Sequence, residues 1–217
     1  WYHDHTLGMT RLNVYAGPAG FYLLRGGGNA AADDLDLGYN PPGPILGQGV
    51  NPGTITEIPI AIQDRSFNND GSLFFPDNRA FFEGLNLFPT APYLDIPFIG
   101  AQACTGESDI SPIWNPESFG NTMVVNGKTW PNLKVEQRRY RLRFLNGCNS
   151  RFLILRLVTA SDVNKPGTWK QVALPFAQIG SEGGFLPKTA TQNELLIGLA
   201  ERADTIIDFA NFPVGSF

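Results

Sequence analysis

The stretch RYRLRFLN, Arg139–Asn146, decides the fold class because two kinds of side chain alternate along it. Tyr140, Leu142 and Phe144 would point to one face of an extended chain, and the arginines between them to the other. A period of two residues predicts a β-strand with one face in a hydrophobic core. The arginine face suits either an anion or nucleic-acid site or the outer surface of a sheet, and the acidic total charge favours the outer surface.

Further strands are predicted upstream of this stretch. Three isoleucines alternate with smaller residues over residues 58–62, as in a strand with one face in a core. The turn Asn68–Gly71 and the apolar Leu73–Phe75 then predict a hairpin. Asn126-Gly127 marks a second hairpin turn, after which we expect Trp130 to be buried.

The pattern continues downstream. Further strands are predicted within Phe152–Val158, Gln178–Leu186, Glu194–Leu199 and Asp204–Phe209. The charged residues Glu201, Arg202 and Asp204 resemble a catalytic cluster, but we favour a salt-bridged corner that orients two strands. In total, about eight to ten strands with turns about every 8–12 residues predict an all-β sandwich. No segment shows a helical period of 3.6 residues.

Composition narrows the function classes. The 217 residues carry a net charge of −4 and a pI near 5.1, which argues against nucleic-acid and anionic-membrane partners. The 24 glycines and 17 prolines suit short strands joined by many turns. No apolar run approaches the roughly 20 residues of a membrane helix. We therefore expect a packed globular core and neither a nucleic-acid nor a membrane partner.

The N-terminal stretch WYHDHTLGMTRLNVYAGPAGFYLL, Trp1–Leu24, contains His3 and His5, which are the two histidines of the chain. In an extended segment these side chains point the same way at a spacing of about 7 Å, while Asp4 points away. Imidazoles so placed can each reach a different metal ion, and imidazole suits copper, zinc, iron and nickel. The alternative is a pair of strand-end histidines without a ligand.

Three short segments that contain or follow these histidines, WYHDH, TRLNVYAG and GFYLL, resemble the second histidine motif of the multicopper oxidases. The most similar branch contains the bacterial laccases, bilirubin oxidases and phenoxazinone synthases. The resemblance implies that His3 and His5 each bind one copper of the type 3 pair in a trinuclear, oxygen-reducing centre. It also implies a turn at Tyr15–Gly17 and a strand at Phe21–Leu24 that together close the first cupredoxin domain.

The second half resembles the middle domain of the same family. The matching motifs are Gly120–Thr122, Val125–Pro131, Arg139–Asn146, Asn149–Arg151, Ile179–Gly184 and Ala200–Asp204. The resemblance implies a cupredoxin-like Greek-key β-sandwich that binds no copper, preceded by a partial cupredoxin segment. It gives residues 1–27 as the end of domain 1, residues 28–54 as a linker rich in glycine and proline, and residues 55–217 as domain 2. Within the last of these, residues 76–118 are expected to form a long loop.

The family's other histidine motifs and its His-Cys-His motif do not occur in this sequence, and the chain begins inside a motif. We therefore expect a fragment of a laccase-like oxidase that is inactive alone. The intact form would couple one-electron oxidation of a small aromatic reductant, a phenol or a pigment, to four-electron reduction of O2 to water. The alternative is a copper-free structural or interaction domain.

Partners and compartment follow from the same resemblance. The chain is expected to need the remaining oxidase segments, or to self-associate through the free strand Phe21–Leu24. Family members are usually exported or associated with spore coats. Cys104 and Cys148 lack neighbouring histidines, which argues against a blue-copper site, and they are either a disulfide or two buried thiols.

Overall fold

The computed structural model describes residues 1–23, 56–75, 117–162, 164–172 and 174–215. The strands in chain order are β1 Tyr2–His3, β2 Ala19–Gly20, β3 Thr56–Phe67, β4 Leu73–Phe74, β5 Thr122–Val125, β6 Lys128–Thr129, β7 Arg139–Asn146, β8 Leu153–Arg156, β9 Val158–Thr159, β10 Lys170–Gln171, β11 Phe176–Ser181, β12 Gly184–Gln192, β13 Glu194–Ile197 and β14 Arg202–Asp208. A short helix, α1, spans Thr10–Tyr15, and a 3-10 turn spans Pro166–Thr168. The predicted all-β class is confirmed.

The large sheet has the strand order β12-β11-β14-β7-β3-β5-β6, and β4 pairs with the far end of β3. The central strand β7 is antiparallel to β14 and parallel to β3, with Ile58 opposite Leu142. A parallel neighbour cannot be reached through a tight turn, so the chain crosses over between β3 and β7. Strands β8 and β13 form a separate antiparallel pair, as do β9 and β10.

The hydrophobic core lies between the large sheet and the β8–β13 pair. Tyr140, Leu142 and Phe144 on β7 are all buried there, as the alternation predicted. From the other side come Leu153 of β8 and Leu195 of β13. The remaining members of the cluster are Ile62, Cys148, Phe176, Ile197, Ala203 and Ile207.

The opposite face of β7 corrects one expectation. Arg141 is 5% exposed and does not lie on an outer surface. Its Nε donates to Asp204 Oδ1 at 2.9 Å, and Arg143 Nε lies 2.6 Å from Glu57 Oε1. Glu57 of β3 and Asp204 of β14 flank β7 on its two sides, so they neutralise the arginines within the sheet. A buried cation is tolerated when it is paired and hydrogen-bonded, as Arg141 is.

The turn predictions have mixed outcomes. The hairpin between β3 and β4 is confirmed, as is the one between β5 and β6. Asn126 and Gly127 have φ values of 49° and 79°, which suit the tight turn of such a hairpin. The expected burial of Trp130 is wrong, since it is 67% exposed where the chain leaves the two-residue strand β6.

The three charged residues Glu201, Arg202 and Asp204 each contact a different part of the fold. Glu201 Oε2 accepts from the backbone N of Gly198, and Arg202 Nη1 pairs with Glu182 at 2.8 Å across the neighbouring turn. Asp204 pairs with Arg141. Arg202 and Asp204 are thus in ion pairs with residues outside the predicted corner, while Glu201 accepts from a backbone N–H.

Two predictions about the N-terminal segment are wrong. The helix α1 was not expected, because its six residues are too few to display a helical period. The predicted strand Phe21–Leu24 is replaced by β2 at Ala19–Gly20, and residues 21–23 belong to no strand. The linker at residues 28–54, nearly all of the loop at residues 76–118, and Cys104 lie outside the described residues.

Candidate metal centre

The strand β1 carries the first candidate ligand. It pairs antiparallel with β2, placing Tyr2 opposite Gly20 and His3 opposite Ala19. A side chain at Gly20 would approach the Tyr2 ring to between 3.1 and 3.3 Å, so a glycine lets that ring lie against the backbone of β2. The pairing fixes which face of β1 the His3 ring occupies.

The two imidazole rings lie together on one side of the segment. Their centroids are 4.0 Å apart with an interplanar angle of 41°. Trp1 also stacks on His3, with centroids 4.2 Å apart and an angle of 27°. His3 is half-buried between its two neighbours, whereas His5 is exposed. The rings have thus closed in from the spacing of about 7 Å that the strand geometry alone gives.

A backbone hydrogen bond determines the tautomer of His3. Its Nδ1 lies 2.7 Å from the carbonyl oxygen of Asp4. A carbonyl only accepts, so Nδ1 carries the proton in this hydrogen bond, and in the neutral ring Nε2 then has the lone pair. Histidines that ligate metals commonly donate their other ring N–H to such an acceptor. The sequence had given no indication of this acceptor.

Asp4 itself ends β1 in a local turn. Its carboxylate accepts from the backbone N of Thr6 at 3.1 Å and from Thr6 Oγ1 at 2.8 Å. The hydrogen bond from the Thr6 hydroxyl holds the pKa of Asp4 below its ordinary value. The carboxylate is therefore occupied within the turn. Among the described residues, no group of three or more His, Cys, Asp or Glu side chains is placed to hold a metal ion.

Helix α1 connects this segment to the large sheet through Tyr15, which is 7% exposed. Its hydroxyl accepts from the backbone N of Ser66 at 3.1 Å and donates a short hydrogen bond to the carbonyl of Phe74. Arg65, 4% exposed, donates from Nη2 to the carbonyl of Val14 at 3.1 Å, and its guanidinium lies 4.7 Å from the centre of the Tyr15 ring. A side chain of α1 therefore bonds to the sheet, and a side chain of the sheet bonds to α1.

A second polar centre lies inside the sheet domain. Asp64 is 0% exposed and accepts from the backbone N of Gly120 at 2.7 Å and from that of Asn149 at 3.1 Å. Arg151 Nε lies 3.6 Å from it. Burial, and then the charge of Asp64, raise the pKa of the Cys148 thiol to about 12. Cys148 is a free, buried thiol, so a protonated core cysteine is what the structure shows.

Sequence reasoning missed this centre. A single aspartate near the end of an alternating strand gives no sign that it is buried, and its partners lie 56 and 85 positions along the chain. Gly120 is needed at this centre, because a side chain there would come within 2.5 Å of the Arg65 backbone. Asp64 joins three chain segments and presents no open face to a ligand.

A cavity of about 410 Å³ separates the N-terminal segment from the charged face of the sheet. Its lining includes Trp1, Phe21, Arg141, Phe185 and Asp204. The arginine lies 5.8 Å from the centre of the Phe185 ring and is paired with the aspartate. Two further arginines of the lining are also in ion pairs, Arg143 with Glu57 and Arg202 with Glu182.

Curated proteins similar to this chain are laccases and other multicopper oxidases. Over 212 residues, 98% of the chain, it is 37% identical to a laccase of Bacillus stratosphericus and 34% identical to a laccase of Bacillus subtilis (strain 168). It is 33% identical over 210 residues to multicopper oxidase LPR1 homolog 1 of Oryza sativa subsp. japonica. The chain spans 32%, 31% and 27% of the lengths of these three relatives.

The fold agrees with these relatives. The crystal structure of the 2F4 variant of the multicopper oxidase McoA from Aquifex aeolicus matches 99% of this chain and 34% of its own, with a TM-score of 0.58 and 26% identity. No protein-family model matches the chain. This chain therefore belongs to the multicopper oxidases, and its sandwich has the cupredoxin fold. Within that family it corresponds to a fragment about a third as long as these laccases.

Family membership confirms the predicted resemblance and implies copper as the cofactor of intact members. Multicopper oxidases use O2 and a reducing substrate. Which residues of this chain bind copper remains a prediction. In the ranges that the structure covers, no helix is both long and apolar enough to cross a membrane.

Proposed function

We propose that His3 and His5 are ligands of the type 3 copper pair in an intact, laccase-like multicopper oxidase. Each imidazole would bind one copper of that pair. The intact protein would couple one-electron oxidation of phenolic or pigment substrates to the four-electron reduction of O2 to water. The remaining ligands of the trinuclear centre and the type 1 copper would come from other parts of the longer protein.

The observation that supports this role most directly is the hydrogen bond from His3 Nδ1 to the Asp4 carbonyl. It leaves Nε2 as the available donor atom and restrains the plane of the ring. Stacking against Trp1 restrains the same ring from one side. A ligand whose tautomer and orientation are already set loses little freedom when the metal binds.

The donor set fits copper in kind but not in number. Imidazole nitrogen is a good copper ligand, and the two rings are adjacent. Two histidines cannot complete the coordination of three copper ions, so we expect no oxidase activity from these residues alone. When bound, the copper ions would supply the electron transfer to O2. The role of this chain would be to hold the ligating nitrogens of His3 and His5 at fixed positions.

The domain assignment is part of the same proposal. Residues 1–27 would end the first cupredoxin domain, residues 28–54 would link it to the second, and residues 55–217 would form a second domain without copper. The middle domain would space the first and third domains and help to shape the substrate cleft. Support comes from the described part of the sheet domain, which has its own core.

Copper titration of the full chain tests the ligand assignment. We expect at most weak Cu(II) binding by calorimetry, with nitrogen hyperfine splitting in the EPR spectrum of any copper that binds. The His3→Ala, His5→Ala double variant should lose both. Asp70→Asn, which changes an exposed carboxylate far along the chain, serves as the matched control and should keep both. Tight stoichiometric copper that survives the double change would show that the ligands lie elsewhere.

A gain-of-function experiment tests the oxidase itself. Supplying the other family segments, from the same reading frame if it continues beyond residues 1 and 217, should restore a blue colour and O2 uptake with a phenolic substrate. If the chain is instead a copper-free structural or interaction domain, the reconstituted protein would show neither.

Two further expectations belong to this proposal. We expect export or spore-coat association, which fractionation of the source cells would test. We also expect self-association when the other segments are absent, through the outer edges of the β1–β2 pair and not through a strand at Phe21–Leu24. A monodisperse monomer in light scattering at high concentration would contradict this.

A further inference from the structure

On the basis of the copper role proposed above, we infer that Tyr15 and Arg65 form a clasp that positions the candidate ligands. The clasp fastens helix α1 to the β3–β4 hairpin of the large sheet. The orientation of His3 and His5 is then set by that hairpin and not by the N-terminal segment alone. Tyr15 and Arg65 are positioning residues, because neither touches the metal site.

The N-terminal elements are too short to order themselves. The strands β1 and β2 have two residues each, and α1 has six. Isolated helices shorter than about 12–15 residues are marginal in water, and a lone two-stranded ladder is marginal as well. The residue before α1, Met9, also provides no side-chain cap. The order of α1 must therefore come from contacts outside the segment.

Tyr15 supplies the contact from the helix into the hairpin. A single hydroxyl accepts from Ser66 N on β3 and donates to the Phe74 carbonyl on β4. It thus uses both of its hydrogen-bonding functions on the two strands of one hairpin. The Phe75 ring packs edge-on against the Tyr15 ring at 5.1 Å. Replacing the hydroxyl by hydrogen would leave two backbone groups without this partner.

Arg65 supplies the contact in the other direction. Its Nη2 reaches the Val14 carbonyl in the last turn of α1, an end of the helix where a cation is favourable. The same carbonyl also accepts from the backbone N of Gly17 at 3.1 Å. The guanidinium also covers the Tyr15 ring. Because Arg65 extends from a twelve-residue strand in the middle of the sheet, the helix is anchored to the most extensively paired part of the fold.

The path from the clasp to the histidines is short. After Tyr15 the chain turns through Gly17, whose φ of 128° is in the region that glycine adopts readily, and reaches β2 at Ala19. Ala19 is paired with His3 in the β1–β2 ladder. An anchored Tyr15 therefore fixes β2, and β2 fixes the strand that carries the first ligand.

The Tyr15→Phe variant of the full chain tests the clasp, and Tyr22→Phe, at a tyrosine that is 72% exposed, is the matched control. The first readout is the nuclear Overhauser effect between the His3 and His5 rings, which needs no metal. The second is Cu(II) affinity. Tyr15→Phe should weaken the ring-to-ring effect and lower the affinity about ten- to hundredfold, the usual loss when a group that orients a ligand is removed. Tyr22→Phe should change neither.

The outcomes separate the clasp from the copper proposal. A Tyr15→Phe chain that keeps both the ring-to-ring effect and the copper affinity would overturn the clasp. If the wild-type chain shows the ring-to-ring effect but its bound copper survives the His3→Ala, His5→Ala change, the ligand assignment is wrong, and loss of the effect in Tyr15→Phe would still support the clasp. If Tyr15→Phe fails to fold, Arg65→Lys decides by the same readout, since it keeps the charge but loses the planar fork.

Discussion

The N-terminal segment, residues 1–23, and the sheet domain differ in what holds them in place. The segment has a two-residue ladder, a six-residue helix and one large side chain, Tyr15, that is buried. The sheet domain has strands of up to twelve residues and a cluster of buried apolar side chains. Yet the candidate ligands are in the segment. The residues proposed for chemistry are thus in the part that depends most on its neighbour.

This difference predicts an order of dependence. Damage to the sheet domain should disorder the segment, because the clasp at Tyr15 and Arg65 would lose its anchor. Damage to the segment should leave the sheet domain intact, because none of the core cluster comes from it. The predictions below test both directions, beginning with the largest effect.

Phe176→Ala should give the largest loss of stability. Phe176 is 2% exposed and packs edge-on against Phe144 at 6.2 Å. Truncating a buried phenylalanine costs about 3–5 kcal/mol, through lost burial and the cavity left behind. Urea unfolding measures the free energy, and Phe152→Ala, at a position 64% exposed, is the matched control. The His3–His5 ring contact should disappear in the same transition, and a contact that outlasts the sheet would break the order of dependence.

The same comparison shows what the sequence could predict about the fold. Tyr140, Leu142 and Phe144 were assigned to the core because a period of two needs no knowledge of distant residues. The burial of Arg141 could not be predicted, because it depends on Asp204, which is 63 positions away. Helix α1 was missed because a tertiary contact, and not a local pattern, orders it.

Asp64→Ala should have the next largest effect. The change leaves the backbone N–H groups of Gly120 and Asn149 without their acceptor inside the fold. Hydrogen bonds to a charged group contribute about 1.5–3 kcal/mol each, so the loss of two, taken at the lower value, costs about 3 kcal/mol. Asp70→Ala, which removes an exposed turn carboxylate, should cost much less in the same urea titration. Equal losses of unfolding free energy for the two variants would contradict the view that Asp64 holds segments of the sheet domain together.

Cys148 should make the sheet domain sensitive to alkaline pH. Its pKa is raised from 9.0 to about 12 in the folded chain, so the folded state keeps a proton that the unfolded state has lost. The stabilising effect is complete below pH 9 and is lost as the pH rises towards 12. In that window the thiol should contribute a slope of about −1.4 kcal/mol per pH unit to the free energy of unfolding. The Cys148→Ala variant should show a correspondingly flatter curve in urea titrations at successive pH values, and identical slopes would contradict the burial of the thiol.

The candidate site was predictable only in its residue types. His3 and His5 were identified from their spacing and from the sequence motifs that surround them. The acceptor of His3 was not, because it is a backbone carbonyl and every residue has one. The clasp could not be predicted from the sequence either, since Tyr15 and Ser66 are 51 positions apart. Contacts that orient a ligand leave little trace in a single sequence when they come from the backbone or from a distant strand.

The smallest effect is expected from removing the candidate ligands themselves. The His3→Ala, His5→Ala variant should change the free energy of unfolding of the sheet domain by no more than about 0.5 kcal/mol, as for other substitutions away from a core. Urea unfolding followed through the buried strands β7 and β14 measures it, in the absence of copper. Together with the loss expected for Phe176→Ala, a change this small would show that the N-terminal segment depends on the sheet domain and that the sheet domain does not depend on the segment. A loss of 2 kcal/mol or so would mean instead that the stacked rings of Trp1, His3 and His5 support the sheet, and the clasp would then have to be read as transmitting stability in both directions.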